Sequence, residues 1–189
     1  AHLDELEPRL AATIMPINNF LVATAPLGDK RCRELIRDPV VVHDTLFVLN
    51  YFRLSAEGRL IFGGGESYRR RFPVDIGSFV RPHLLRIFPQ LGDVSIDYAW
   101  GGRLAITMNR MPHLGRLGPD IYFAQGYSGH GVAMATLAGQ LIAEAVSGSV
   151  ERFDVFARLA PPPFPGGTLL RWPGLVLGML WYALRDRLP

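Results

Sequence analysis

Residues 121–132 read Ile121-Tyr122-Phe123-Ala124-Gln125-Gly126-Tyr127-Ser128-Gly129-His130-Gly131-Val132. A short apolar strand runs into a glycine-rich turn, and the turn opens an alanine-rich helix from Ala133 to Val146. The start of a helix carries unpaired backbone N–H groups and the positive end of the helix dipole. Glycine lets a ligand come close to that backbone, so such a turn suits an electron-rich group. Its spacing, G-x-x-G-x-G, differs from the dinucleotide fingerprint G-x-G-x-x-G. A plain strand-to-helix corner built of small residues for packing accounts for the same pattern. His130, set between two glycines, is an odd choice for packing alone, and as a solvated turn histidine it would carry no function.

Composition narrows the function classes. In 189 residues, 20 basic and 17 acidic side chains leave a net charge of +3, and 49% of the residues are hydrophobic. A sizeable core is available, in one large domain or two small ones. The charge is too mild, and too free of basic runs interleaved with aromatics, for nucleic-acid binding. Cys32 is the sole cysteine, which excludes an internal disulfide and a Cys₄ metal site. The histidines at 2, 43, 83, 113 and 130 lie far apart without ligand spacing, so no metal centre is expected. The default setting is reducing and cytoplasmic. No signal peptide is visible at the N-terminus, and the abrupt start from Leu3 to Leu10 is that of a fragment or a late segment of a longer protein.

Outward from the turn, β-branched and aromatic residues predict strands over Ile14–Thr24, Val40–His43, Thr45–Leu54, Arg59–Phe62, Val94–Trp100 and Arg103–Met108. Ala56-Glu57-Gly58 reads as a hairpin turn. Apolar spacing from Asp75 to Phe88 predicts an amphipathic helix, capped by Asp75, stopped by Pro89 and strained by the internal Pro82. Pro112, Gly115 and Gly118 mark a loop leading to the opening motif. After Gly148 the character changes. Residues Pro161-Pro162-Pro163-Phe164-Pro165-Gly166-Gly167 form an ordered crossing or a linker, and Gly174–Leu184 reads as an apolar helix. That run falls short of the roughly 20 residues that span a bilayer. Trp172, Trp181, Tyr182 and arginines flank it, which leaves interfacial contact with a membrane open beside packing on the protein or a subunit contact.

Two further clusters carry residues of chemical interest. Tyr98-Ala99-Trp100-Gly101-Gly102-Arg103 leads to Thr107-Met108-Asn109-Arg110-Met111-Pro112-His113-Leu114-Gly115. Paired glycines weaken a strand unless something approaches closely, although a bulge beside a core tryptophan would explain them too. Phe62-Gly63-Gly64-Gly65-Glu66 ends a strand and reads more simply as a turn. Ser128 in G-Y-S-G-H is similar to a nucleophile elbow, but no histidine follows Asp154 in chain order, so a hydrolase triad is disfavoured.

Taken together, W-x-G…P-x-x-G followed by a strand and G-[FY]-S-G-H-G resembles the C-terminal half of FAD-dependent amine oxidoreductases of the D-amino-acid oxidase superfamily. The narrower likeness is to the gamma-glutamylputrescine oxidoreductase group, carried by Asn50–Leu54, Arg59–Gly65, Phe88–Leu91, Tyr98–Arg103, Met108–Pro112, Pro162–Gly167 and Gly178–Tyr182. The resemblance implies an α/β (α+β) fold. A mixed-sheet, mostly antiparallel substrate domain would occupy residues 1–110. The last strand and helix of a FAD-binding domain would occupy 111–150, and a proline-rich crossing and apolar helix 151–189. It also implies that the N-terminal half bearing G-x-G-x-x-G is absent from this chain.

The same resemblance implies FAD, bound non-covalently because Gly101, Gly102 and Arg103 offer no cysteine, and held through Gly101, Gly102, Gly126, Tyr127, Ser128, Gly129, His130, Gly131 and Val132. Trp100 and His130 are the candidate catalytic residues; Arg53 and Arg103 are candidates for binding a distal carboxylate. The implied reaction is oxidation of an amine by hydride transfer to flavin, hydrolysis of the imine to an aldehyde, and return of electrons to oxygen as peroxide. Amino-acid oxidases place a carboxylate-binding arginine where this chain has Leu104, with Arg103 displaced by one. One residue reverses side-chain direction in a strand, so an α-amino acid is disfavoured as substrate. A stand-alone binding module without catalysis, and a sarcosine- or glycine-oxidase-like enzyme, are the alternatives.

Overall fold

The computed structural model describes residues 6–46, 49–65 and 71–185. In chain order its elements are α1 (Pro8–Ala11), β1 (Met15–Thr24), α2 (Asp29–Leu35), β2 (Val42–His43), β3 (Tyr51–Leu54), β4 (Leu60–Gly63) and α3 (Ile76–Ile87). A short 3₁₀ turn, Pro89–Leu91, leads on to β5 (Ile96–Ile106), β6 (His113–Leu117), β7 (Ile121–Gln125), α4 (Gly131–Val146), α5 (Glu151–Ala157) and α6 (Gly167–Arg185). Two compact units form, one from residues 18–102 with 180–185 and the other from residues 6–17 with 103–179.

The first unit is built on a five-stranded sheet in the order β2-β3-β4-β1-β5. The pairs β2·β3, β3·β4 and β1·β4 are antiparallel. The registers place Phe52, Phe62 and Val22 in one cross-strand row and Tyr51, Gly63 and Leu21 in the next. Successive side chains point to opposite faces, so the first row meets α3 while the second lies on the other side. Phe20, Val22, Leu60, Phe62, Val80, Leu84, Phe88 and Leu91 make the buried core.

α3 forms where its apolar spacing predicts. The Asp75 carboxylate accepts the Ser78 amide at 2.9 Å and the Ser78 hydroxyl at 2.6 Å, closing the first turn. Pro82 lies inside the helix. An internal proline costs about 3 kcal/mol, whereas burying Val80 and Leu84 together with flanking Phe88 returns roughly 1.5–3 kcal/mol each. Packing therefore holds the helix across the proline.

The second unit pairs β6 with β7 in an antiparallel hairpin, Gly115 opposite Phe123, and packs α4 and α5 against it. Ala138, Leu141 and Ala145, spaced three and four apart on one side of α4, meet Leu114 and Phe153. Arg116 ties α5 to the hairpin, donating to Asp154 at 2.8 Å while its guanidinium lies over the rings of Tyr122 and Phe153.

Several expected boundaries move. The two strands expected over Val94–Trp100 and Arg103–Met108 are one, β5, because Gly101 and Gly102 stay extended instead of breaking the ladder. The loop expected around Pro112–Gly118 contains β6; the turn itself is Gly118-Pro119-Asp120, with Gly118 at φ +69°. Of the strand expected over Thr45–Leu54, the described residues form β3 at Tyr51–Leu54, and ahead of it the Asp44 carboxylate accepts the amides of Leu46 and Asn50. Phe47 and Val48 lie outside the described residues, as does Glu66. α5 was not expected at all; its first turn carries Glu151 and Asp154, which favour a helix start. The C-terminal helix starts earlier than its apolar run, at Gly167, and continues through Pro173. Among the described residues no helix is long and apolar enough to cross a membrane.

Candidate functional site

The turn between β7 and α4 is shaped by left-handed backbone at Gly126 (φ +69°), Ser128 (φ +50°) and Gly129 (φ +99°). Ser128 is a non-glycine residue in a region that costs energy, and its surroundings hold it there. Its amide donates to the Ala105 carbonyl at 3.1 Å. Its hydroxyl lies 3.2 Å from both the Thr107 amide and the Thr107 hydroxyl. Ser128 is buried, so it fixes the corner from within; Tyr127 packs into the core beneath α4.

Beyond that anchor the corner opens. His130 is the N-cap of α4, makes no side-chain cap, and is exposed. The amides of Gly129, Gly131, Val132 and Ala133 take no hydrogen-bond partner among the described residues. A methyl group at Gly129 would meet nothing within 4 Å, and one at Gly131 would meet only Tyr127 at 3.7 Å. Val132 is 96% exposed. No acidic side chain sits in the first turn of α4. The result is a rigid corner with several amides directed into accessible space at the positive end of a 16-residue helix.

A polar cluster lies behind this corner. His113 on β6 is buried, and its Nδ1 stands 3.1 Å from the Thr13 hydroxyl. The Thr13 hydroxyl donates its only proton to the Leu10 carbonyl at 2.8 Å, so His113 is the donor of the pair. Burial pushes the His113 imidazole below its ordinary range.

The sheet-borne candidates are in the first unit, apart from Arg103, which follows Gly102 along β5. Trp100 is exposed on β5. Gly101 is held close to the core: a methyl there would come within 2.7 Å of the Phe20 ring and 3.0 Å of Phe72. At Gly102 the same addition would meet open space. Because β5 is continuous, Trp100, Gly102 and Leu104 alternate with Gly101 and Arg103. Arg53 is exposed on β3, opposite Ile61 and on the face turned away from α3.

One arrangement was not assigned from sequence. The Tyr51 ring lies across Gly63, where any Cβ would overlap it, and its hydroxyl donates to Asn19 Oδ1 at 2.5 Å. Tyr51 and Arg53 are two apart on β3 and share a face. The signal available in the sequence was Gly63-Gly64-Gly65, read there as a plain turn.

The FAD dependent oxidoreductase family matches residues 1–145. The chain belongs to this family. Within it, the chain is similar to the gamma-glutamylputrescine oxidoreductase of Escherichia coli (strain K12), 48% identical over 185 residues, which are 98% of this chain and 43% of that protein. It is also similar to a probable oxidoreductase OrdL of Rhizobium meliloti (strain 1021), 42% identical over 98% of this chain and 43% of the relative. The chain thus spans less than half the length of these two relatives. Among solved structures, L-proline dehydrogenase from P. horikoshii superposes with a TM-score of 0.58 at 27% identity, over 77% of this chain and 40% of that one. Iminodiacetate oxidase from Chelativorans sp. BNC1 gives 0.59 at 19% identity over 79% and 40%, a likeness of fold.

The family implies FAD in the full-length protein, and the corner fits part of such a group. Free amides and a helix N-terminus suit an electron-rich ring edge, and the glycines leave the approach clear. The α+β architecture with antiparallel sheets agrees with the expected fold class.

Proposed function

We propose that this chain is the C-terminal portion of a FAD-dependent oxidoreductase that oxidises a primary amine of the gamma-glutamylputrescine kind. In the net reaction, amine, oxygen and water give aldehyde, ammonium and hydrogen peroxide. When bound, FAD supplies the hydride acceptor and the route of electrons to oxygen. The residues of this chain bind and orient. The amides of Gly129, Gly131, Val132 and Ala133 hold the pyrimidine edge of the flavin by hydrogen bonding and dipole, with Gly126, Tyr127 and Ser128 fixing the corner that presents them. His130, at the N-cap position of their helix, is exposed beside them. The family resemblance makes Trp100, Gly101 and Gly102 candidates for bordering the ring, and binding needs no covalent link.

Residues 111–150 serve in this reading as the last strand, turn and helix of the flavin-binding domain, and residues 1–110 as the substrate domain. Arg53 and Arg103 are the candidates for the distal carboxylate of a gamma-glutamyl group, by the paired hydrogen bonds that arginine makes with carboxylates. Leu104, on the opposite side of β5 from Arg103, stands where an α-carboxylate-binding arginine would have been, which favours a reacting carbon without a carboxylate.

The open amide corner at 129–133 carries this reading. Its test is Gly131→Asp in the full-length protein. The substitution has room and places an acid at a helix start, where it does not weaken the helix. Its carboxylate would fill the amide-lined space and repel the electron-rich ring. Flavin retained through purification should fall at least tenfold while the fold persists, and Gly131→Ala should retain it. Unchanged flavin absorbance in the aspartate variant would remove the proposed role of the turn.

A further inference from the structure

α6 extends beyond the family match, which ends at residue 145, yet the match to the gamma-glutamylputrescine oxidoreductase relative takes in 185 of the 189 residues. One side of α6 is packed: Arg171 donates to the carbonyls of Ala11 at 2.7 Å and Ile14 at 2.9 Å, and Leu175 and Val176 are half-buried. The other side is bare. Leu170, Leu177 and Leu184 recur every seven residues, and Pro173 and Trp181 fall within the same stripe. Leu170 is 53%, Leu177 68%, Trp181 64% and Leu184 56% exposed.

We infer that this stripe is the seat of an intramolecular contact: it packs against the part of the full-length polypeptide that lies outside residues 1–189. The inference rests on the reading of this chain as a portion of a longer flavoprotein. Length is the first support, since the chain spans only 43% of each of two relatives whose sequence similarity runs over 98% of this chain. Chemistry is the second. The stripe carries no charge, and no acidic side chain occurs from Val155 through Arg185. Interfacial membrane helices need a polar face rich in Lys and Arg. Within α6 the cations are Arg171, on the packed side, and Arg185, its last residue. Surfaces that meet and part carry a polar rim, whereas permanently covered ones are more hydrophobic, with cores depleted of charge and enriched in aromatic residues such as Trp. An apolar stripe of this kind left open would be an aggregation site.

The experiment uses the full-length protein with p-benzoylphenylalanine in place of Leu177, irradiated and mapped by peptide mass spectrometry. The expected product has monomer mass and joins position 177 to a peptide outside residues 1–189. A cross-linked dimer, a lipid adduct, or a link landing within residues 1–189 would overturn the inference. Amide exchange across 168–184 gives a second measurement: it should be at least tenfold slower in the full-length protein than in its Leu177→Asp variant. Equal, fast exchange in both also overturns it. Flavin content of the same samples reports separately on the glycine corner, so failure of one reading leaves the other legible.

Discussion

His113 is where a single residue couples the fold to pH. Its ring donates to Thr13, stacks edge-on to Phe123 with centroids 4.9 Å apart, and is held neutral by burial. In the unfolded chain the imidazole takes up a proton near its ordinary value of about 6.5; in the folded chain it resists doing so. The unfolded state therefore binds more protons in the window below that value, and stability rises with pH there. The contribution is fully present above the unfolded-state value and is lost as pH falls toward the depressed folded one. The denaturation midpoint should decline between pH 7 and pH 5, and His113→Gln should flatten that part of the decline. Equal slopes in the two proteins would refute the assignment. The histidine's place in the sequence, after Met111-Pro112, gave no hint of this, because its partner lies 100 residues away. Gly129, His130 and Gly131 were legible, since the helix that follows them is written in local residues. Ser128 in a left-handed conformation was not, because the hydrogen bonds that hold it come from Ala105 and Thr107.

At the scale of elements, α4 joins the corner to the core and so transmits any loosening of its packing. Leu141 is 1% exposed beneath it, and Val146 is 68% exposed at its end. Leu141→Ala should cost about 2–5 kcal/mol by cavity formation, while Val146→Ala should stay within about 0.5 kcal/mol; urea denaturation would measure both, and similar values would show that the core assignment is wrong. The phase of α4 and the cap of α3 were readable because helical periodicity and Asp75 act within a turn of their own residues. Sequence alone divides β5 into two strands because paired glycines disfavour a ladder locally. The approach of Gly101 to Phe20 and Phe72 supplies what local sequence cannot show. α5 is only 7 residues long, too short for periodicity to register.

At the scale of the molecule, each compact unit is assembled from segments distant in sequence, 6–17 with 103–179 and 18–102 with 180–185. Under the proposed function, activity belongs to the full-length protein, and its substrate preference would follow from Leu104 and the two arginines. Peroxide release should be at least tenfold faster with gamma-glutamylated diamines than with glycine, sarcosine or proline. A preference for the amino acids would instead place the enzyme with the glycine-oxidase-like group. Replacing Arg53 by Lys should raise KM for the gamma-glutamylated amine with little change in kcat, since a lysine cannot reproduce the bidentate contact; an unaltered KM would remove Arg53 from the site.

What the residues alone determined were features whose causes lie within a few positions of one another: the glycine turn and its helix, the capped and amphipathic α3, the apolar tail, and the motif set that marks the family. Tertiary structure decided the rest. It laid Tyr51 over Gly63 to reach Asn19, paired His113 with Thr13, and set one face of β3 and β4 against α3. Each of these depends on strand register and on side chains tens of residues apart, and a register shift of one would turn every one of them to the opposite face.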